Sequence, residues 1–558
     1  MIDYLILVPH EDDELAIAGP LIYAAANTNQ SLKIVFSTNG DYFRHEGAIR
    51  IREALAVAKL LGVAEENVIF LGYGDQVAET AGRHMYNSPA EMVVPSANGG
   101  VETYGTPDKP EWCMTQHGEH HAYTRGNLKG DIQEVIQQFL PRVIVTTGWD
   151  NHMDHLALSL LVDEIVADMM RKGVYPSVAK SSVQEGVAAI DGESVTRYQP
   201  LVLKGLAYNG KWEGPGDYYR GSNWTMNVNR AIGTKQCYPL HRWEDRIRLA
   251  VPEACLTPRI WNSILYQAAR IYKSQSVDFK AIQFINRDLV FWRKQSESLT
   301  YRAELTVSSG EGEFLCDGKC GDCPDITGDH WNLTQGIWKP DAEDVNPQIT
   351  IRLENPANVT QVWLYESAAS FGHLKQCRVN GTIFQTEGAR AGGAMVVHLQ
   401  EPTNPISEVT VELLDWEGDA FGLTELEVYD RITPLEEFHL ALPVLGGDDA
   451  GRDDTGRDDA GRDDTGRDDA GRDDAGRDDT GQRREHTTAV SLAGRVDEVV
   501  LRFREFGRNR LWPYKYFLMK KNPTLQESDS MWRFWQEHCR FFWKKMTEKL
   551  KRGIGTKE

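Results

Sequence analysis

Residues 3–14 read DYLILVPHEDDE. Asp3–Pro9 (DYLILVP) is apolar along its middle and too short for a buried helix. It suits a strand covered on both faces. Pro9 closes it, and His10, Asp12 and Asp13 leave its end together. Glu11–Asn27 then carries a helical pattern, with Pro20 as a kink position. The same grammar repeats downstream. Leu32–Thr38 (LKIVFST), Asn67–Leu71 and Arg142–Thr147 (RVIVTT) read as strands. Ala48–Gly62, Asn127–Leu140 and Asp154–Arg171 read as helices, the first ending on a glycine stop. Apolar strands alternating with helices predict an α/β fold: a Rossmann-like parallel sheet with helices on both faces. In such sheets ligands sit beyond the carboxyl ends of the strands.

The RVIVTT strand is followed by Trp149-Asp150-Asn151-His152-Met153-Asp154-His155. Two strands of one sheet thus each deliver imidazole and carboxylate to the same edge. Two imidazoles and a carboxylate suit Zn²⁺, which keeps three protein ligands and an open position in catalytic sites. Such a metal makes water nucleophilic near neutral pH. A carboxylate beside it can take the water's proton, and an unligated His can serve the leaving group. Either half alone has a plainer reading: His-Asp-Asp as a helix start, His-x-x-His as a surface pair.

The pairing of Pro9–Glu14 with His152–His155 resembles the signature of the PIG-L/LmbE-like de-N-acetylases. Thr38-Asn39-Gly40-Asp41, Arg50–Ala54 before Leu61-Gly62, and Phe70–Asp75 are similar too. The resemblance covers residues 1–180 well, and 181–300 by order and length alone. It implies His10, Asp13 and His155 as metal ligands, Asp12 as general base, and His152 as acid and oxyanion stabiliser. It further implies Arg50, Asn39 and Asp75 as holders of sugar hydroxyls. Arg50 also reads as an exposed helix residue and Asp75 as a turn. Where the family pattern usually has Pro, this chain has Glu11. The implied reaction is hydrolysis of the acetamide of an N-acetylglucosamine-type sugar on a carrier, with zinc or another divalent ion. Alternatives are the same hydrolysis of a non-sugar amide, or a non-catalytic carbohydrate-binding protein.

Past residue 300 the pattern changes. Gln348–Leu353, Val359–Tyr365, Met395–Leu399, Glu408–Leu413 and Leu423–Tyr429 are strand-like runs between Gly, Pro and Asn. Together with Ile326–Trp338 they resemble a discoidin-like (galactose-binding-like) β-sandwich. It is expected either to bind carbohydrate or to pack on the enzyme as structure. The domain expectation is therefore 1–300 deacetylase, 301–432 sandwich, 433–486 linker and 487–558 a basic helical tail.

The chain has 558 residues and a net charge of −21. Residues 447–482 repeat Gly-Arg-Asp-Asp-Ala/Thr, with 14 Asp and 6 Arg. They hold no large apolar side chain to offset ordering entropy, so a solvated linker is expected. Calcium would need alternating ligands and a closing Glu, which the repeat lacks. The tail is basic and rich in Trp, Tyr and Phe, from Phe503 to Trp543. It suits an anionic membrane surface, a helical partner contact or a small bundle. The acidic remainder argues against general nucleic-acid binding. No apolar run approaches the roughly 20 residues of a membrane span, and no basic segment precedes the first apolar run. A cytoplasmic protein, peripheral to a membrane if the tail docks there, is the expectation. Eight cysteines are too few for a disulfide scaffold. Cys316, Cys320 and Cys323 are expected as loop thiols. A structural zinc with His330 or Cys377, or an iron–sulfur cluster, are the alternatives. Four Asn-x-Ser/Thr sequons (Asn223, Asn332, Asn358, Asn380) are taken as chance.

Overall fold

The computed structural model describes residues 1–42, 46–76, 84–148, 152–173, 198–207, 245–257, 259–279, 281, 284–285, 288–320, 325–327, 330–332, 336–367, 373–385, 394–400, 404–418 and 421–445. The acidic repeat, the basic tail with its membrane expectation, Cys323 and Trp149–Asn151 lie outside these residues.

Seven strands form the first sheet: β1 Tyr4–Val8, β2 Leu32–Thr38, β3 Val68–Tyr73, β4 Val143–Thr147, β5 Leu201–Gly205, β6 Ile247–Ala250 and β7 Asp288–Lys294. Their order is β3-β2-β1-β4-β5-β7-β6. The five strands from β3 to β5 are parallel, while β7 runs antiparallel to both β5 and β6. The sheet is therefore the expected Rossmann-like parallel one, with antiparallel pairing added at one edge. The order reverses at β1 and β4, which opens a crevice above their carboxyl ends.

Helices cover both faces. On one lie α1 (Asp13–Asn27), α2 (Gly47–Leu61) and the later α6 (Ile264–Ala269), packed on Tyr4, Ile6 and Val8. On the other lie α4 (Arg125–Phe139) and α5 (Met153–Lys172), packed on Leu5 and Leu7. Strand side chains alternate between faces. Burial on both sides therefore explains why Tyr4–Val8 has no polar position. A short helix, α3, spans Trp112–His117. The expected glycine stop of α2 is Gly62 at φ 94°, whose N–H reaches the carbonyls of Ala58 and Lys59.

A sandwich follows, in sheets of five and three strands. The five-stranded sheet contains β8 (Glu304–Val307), β11 (Gln348–Ala357), β13 (His373–Val379), β14 (Thr382–Gln385) and β16 (Ile406–Glu417). The smaller contains β12 (Gln361–Glu366), β15 (Ala394–His398) and β17 (Leu423–Tyr429). A separate two-stranded ribbon pairs β9 (Asp325–Thr327) with β10 (His330–Asn332). Pairing in the sandwich is antiparallel throughout.

The two folds are keyed together by buried charge. Lys294 Nζ at the end of β7 donates to Glu427 on β17 at 2.6 Å, while Lys204 Nζ, within the first domain, donates to Asp163 at 2.7 Å. The cysteine-bearing loop lies at this seam, where Arg171 donates to the Cys316 carbonyl and Thr424 to that of Cys320. Cys377 is instead buried in the sandwich core, so it is not a fourth ligand for Cys316 and Cys320. Neither of those two joins a candidate metal group among the described residues. Residues 433–445 are not free linker as their composition implied. Leu442 is buried in the α1/α2 core, and Ala441 donates to the Tyr4 hydroxyl. Their apolar residues make this segment a strap on the first domain. No helix of the described residues is long and apolar enough to cross a membrane.

Candidate active site

The crevice above β1 and β4 brings His10, Asp12, Asp13, His152 and His155 together. Asp13 and Asp12 stand at the start of α1, and His152 and His155 at the start of α5. Asp12 sits at φ 139°. That region is costly for a residue with a Cβ and persists only where surroundings enforce it. His152 caps its own helix, its Nδ1 accepting from the Asp154 N–H at 3.2 Å.

Three donor atoms converge. His10 Nδ1 lies 3.0 Å from Asp13 Oδ2, His155 Nε2 lies 3.0 Å from the same oxygen, and the two nitrogens are 3.2 Å apart. Ligands about 2.0–2.1 Å from a tetrahedral zinc are separated by roughly 3.3 Å, close to these edges. The remaining ring nitrogens are also held. His10 Nε2 faces Asp154 Oδ2 at 3.2 Å, and His155 Nδ1 faces the Thr147 hydroxyl at 3.4 Å. Such outer contacts fix the tautomer of a metal-binding imidazole. The donor set therefore fits a divalent cation.

The charges agree. Burial opposes a charge on His10, but Asp75, Asp13 and Asp154 outweigh it and hold the imidazole well above its ordinary range. Burial would raise Asp13, yet His155 and His10 keep its carboxyl well below the usual range. Asp75 goes the other way. Burial, with Asp154 nearby, pushes it up to about 6. Burial and the His10 charge push His152 well below the usual imidazole range. Three carboxylates in one buried crevice make a strong field for a cation.

The residues expected to hold sugar hydroxyls lie deeper than anticipated. Arg50 is buried. It donates to the carbonyls of Gly40 and Glu11, and its Nη2 is 3.4 Å from Asp12 Oδ1. Asn39 is buried and donates to the Tyr104 carbonyl. Asp75 Oδ1 lies 3.5 Å from His10 Nε2, inside the ionisable cluster. His152 keeps 29% of its side chain exposed at the rim. Sequence reasoning missed Asp154, which joins His10 to His84 through 3.2 and 2.8 Å contacts. Its signal was its place between two histidines at a helix start. His84 follows undescribed residues and had no such marker.

Residues 5–166 match the family model for PIG-L, GlcNAc-PI de-N-acetylase. No curated protein matches the chain. Among solved structures, the chain is similar to an N,N'-diacetylchitobiose deacetylase from Pyrococcus horikoshii, at 14% identity and TM-score 0.23. That match covers 53% of this chain and 84% of that one. A conserved protein from Thermus thermophilus is similar at 17% identity and TM-score 0.22, covering 41% of this chain and 79% of that one. The lectin domain of lectinolysin, complexed with Lewis B antigen, is similar at 17% identity and TM-score 0.19. It covers 24% of this chain and 98% of that domain. Residues 5–166, which carry the cluster on their strand ends and helix starts, are thus the part of the chain that resembles the PIG-L family.

Proposed function

We propose that the chain is a zinc-dependent hydrolase that removes the N-acetyl group from an N-acetylglucosamine-type sugar on a carrier. The observation that carries this reading is the donor triangle of His10, Asp13 and His155, with Asp12 adjacent in sequence and His152 at the rim. His10 Nδ1, Asp13 Oδ2 and His155 Nε2 would hold the metal. What a bound divalent ion supplies there is Lewis acidity toward an amide carbonyl and toward water.

The protein's own groups do the rest. Asp12 takes a proton from the attacking water at its carboxylate, and Arg50 holds that carboxylate from behind. Water oxygen adds to the carbonyl carbon and the C–N bond breaks. His152, neutral at rest and in ring contact with His10 at 4.5 Å, takes the proton from Asp12 and delivers it to the leaving amine. Acetate and a free amino sugar result. Arg50 and Asn39, both buried, act by shaping the pocket wall beneath the sugar.

The test is acetate release from a panel of N-acetylhexosamine conjugates by the zinc-loaded chain, with Asp12→Asn alongside. Release that falls by about 10²-fold or more in the variant supports the reading. Zinc binding without release from any conjugate would replace it with the binding-protein reading.

A further inference from the structure

A second cluster of metal-ligating side chains lies in the run Glu111 to Asp131, sharing no residue with the cluster around His10. Cys113 sits on α3, Asp131 on α4, and His121 on the extended segment between them. One ligand atom from each of Cys113, His121 and Asp131 lies within 4.8 Å of the others. His121 Nδ1 is 2.9 Å from Asp131 Oδ1. A fourth donor is beside them, since Glu111 Oε1 is 3.8 Å from Cys113 Sγ.

Cys113, Glu111 and Asp131 are all buried. Among the described residues, the only ion-pair partners of the two carboxylates are His120 and His121. A buried carboxylate and thiol facing one point, with a second buried carboxylate beside the thiol, is an arrangement that burial penalises. Its marks are visible. Burial raises the Asp131 carboxyl, and burial together with Asp131 and Glu111 raises the Cys113 thiol. A divalent cation would relieve both.

The donors are also oriented. The Thr103 hydroxyl contacts Cys113 Sγ at 3.0 Å, the Tyr73 hydroxyl donates to Asp131 at 2.7 Å, and His120 holds Glu111 at 2.5 Å. Outer contacts of this kind accompany metal ligands.

We propose that Cys113, His121 and Asp131, with Glu111 beside the thiol, form a second metal site that takes Zn²⁺. Thiolate with imidazole and carboxylate selects zinc-type ions, and Glu111 is a further donor at the edge of the group. Binding releases the thiol proton to solvent. The ion would tie α3 and the 118–123 segment to α4 beneath β3. This inference is independent of the proposed deacetylase activity.

The probe is Co²⁺ added to the metal-stripped full chain. A sulfur-to-cobalt charge-transfer absorption is expected. It should vanish in Cys113→Ser, weaken in His121→Ala and persist in His10→Ala, whose ligand set contains no thiol. Wild type and Cys113→Ser giving the same absorption, or no such absorption at cobalt saturation, overturns the site. That result would leave a hydrogen-bonded cluster only. Should Cys113→Ser fail to fold, alkylation of Cys113 in the wild type decides, read by mass spectrometry. Zinc should slow it by about tenfold or more if the thiolate is ligated. An unchanged rate overturns the proposal.

Discussion

Arg50 Nε lies 3.2 Å from the Glu11 carboxylate, with both side chains withdrawn from solvent. Glu11 stands where the pattern this chain resembles usually has Pro, beside the arginine behind Asp12; burial outweighs Arg50 and pushes its carboxyl up to about 8. Removing one partner of a buried pair strands the other's charge, at a cost of about 3–5 kcal/mol. Glu11→Ala should therefore destabilise the fold by up to about that much in urea unfolding above about pH 8, where the carboxylate is charged, and by less at neutral pH. Adding Arg50→Leu should recover most of the loss, since an apolar replacement removes both charges. If Glu11→Ala changes stability above that pH by less than about 1 kcal/mol, the pair is not holding the crevice wall.

Asp154 acts through His10. Its Oδ2 is 3.2 Å from His10 Nε2, while His10 Nδ1 belongs to the donor triangle. Asp154→Asn should lower the affinity of the His10 site for zinc by about 10–100-fold, measured by competition with a chromophoric chelator. Unchanged affinity would mean that His10 is oriented by its backbone alone.

Gly318 explains how the cysteine loop meets the first domain. It adopts φ +91°, and a Cβ there would lie 2.5 Å from Ala167 Cβ and 2.9 Å from the Asp163 carbonyl oxygen. Neither is the end of a flexible side chain. Gly318→Ala should cost about 1–3 kcal/mol in thermal or urea unfolding while leaving zinc binding at His10 intact. A neutral substitution would show that the loop and α5 can separate freely.

These features differ in how far the sequence foretold them. The strands β1 to β4 were readable because burial on both faces leaves each a short, mostly apolar run, and the cluster because its residues leave strand ends. Leu423–Tyr429 matched to the residue. β13 and β14 were missed because HLKQCRV and TIFQ carry polar residues on their outer face, although Asn380-Gly381 between them, both at positive φ, is a hairpin signal. β7 gave no sign of its direction, since DLVFWRK reads alike either way and pairing alone decides it. Arg50 looked exposed because helical periodicity says which face it occupies and not that a carboxylate waits there. The strap 433–445 looked like linker because so short an apolar run is stabilised only by the domain it covers.

The seam between the two folds should make stability depend on pH through Glu425. Burial raises its carboxyl well above the usual range. Asp317 and Glu427 add to the rise, while Lys294 and the Gly318 N–H oppose it. Its Oε1 makes no hydrogen bond. The folded chain thus keeps a proton at Glu425 that the unfolded chain has already released. Stability from this group is fully present below the ordinary carboxylate range and is lost as pH rises toward the folded value. The slope for one proton is at most about 1.4 kcal/mol per pH unit. Urea unfolding of wild type and Glu425→Gln from about pH 5 to about pH 8 should show the variant gaining on the wild type as pH rises. The other buried carboxyls are common to both proteins, so the difference isolates Glu425. A difference that stays flat, or slopes the other way, would mean that Glu425 is ionised in the folded state and that Lys294 outweighs burial at the seam.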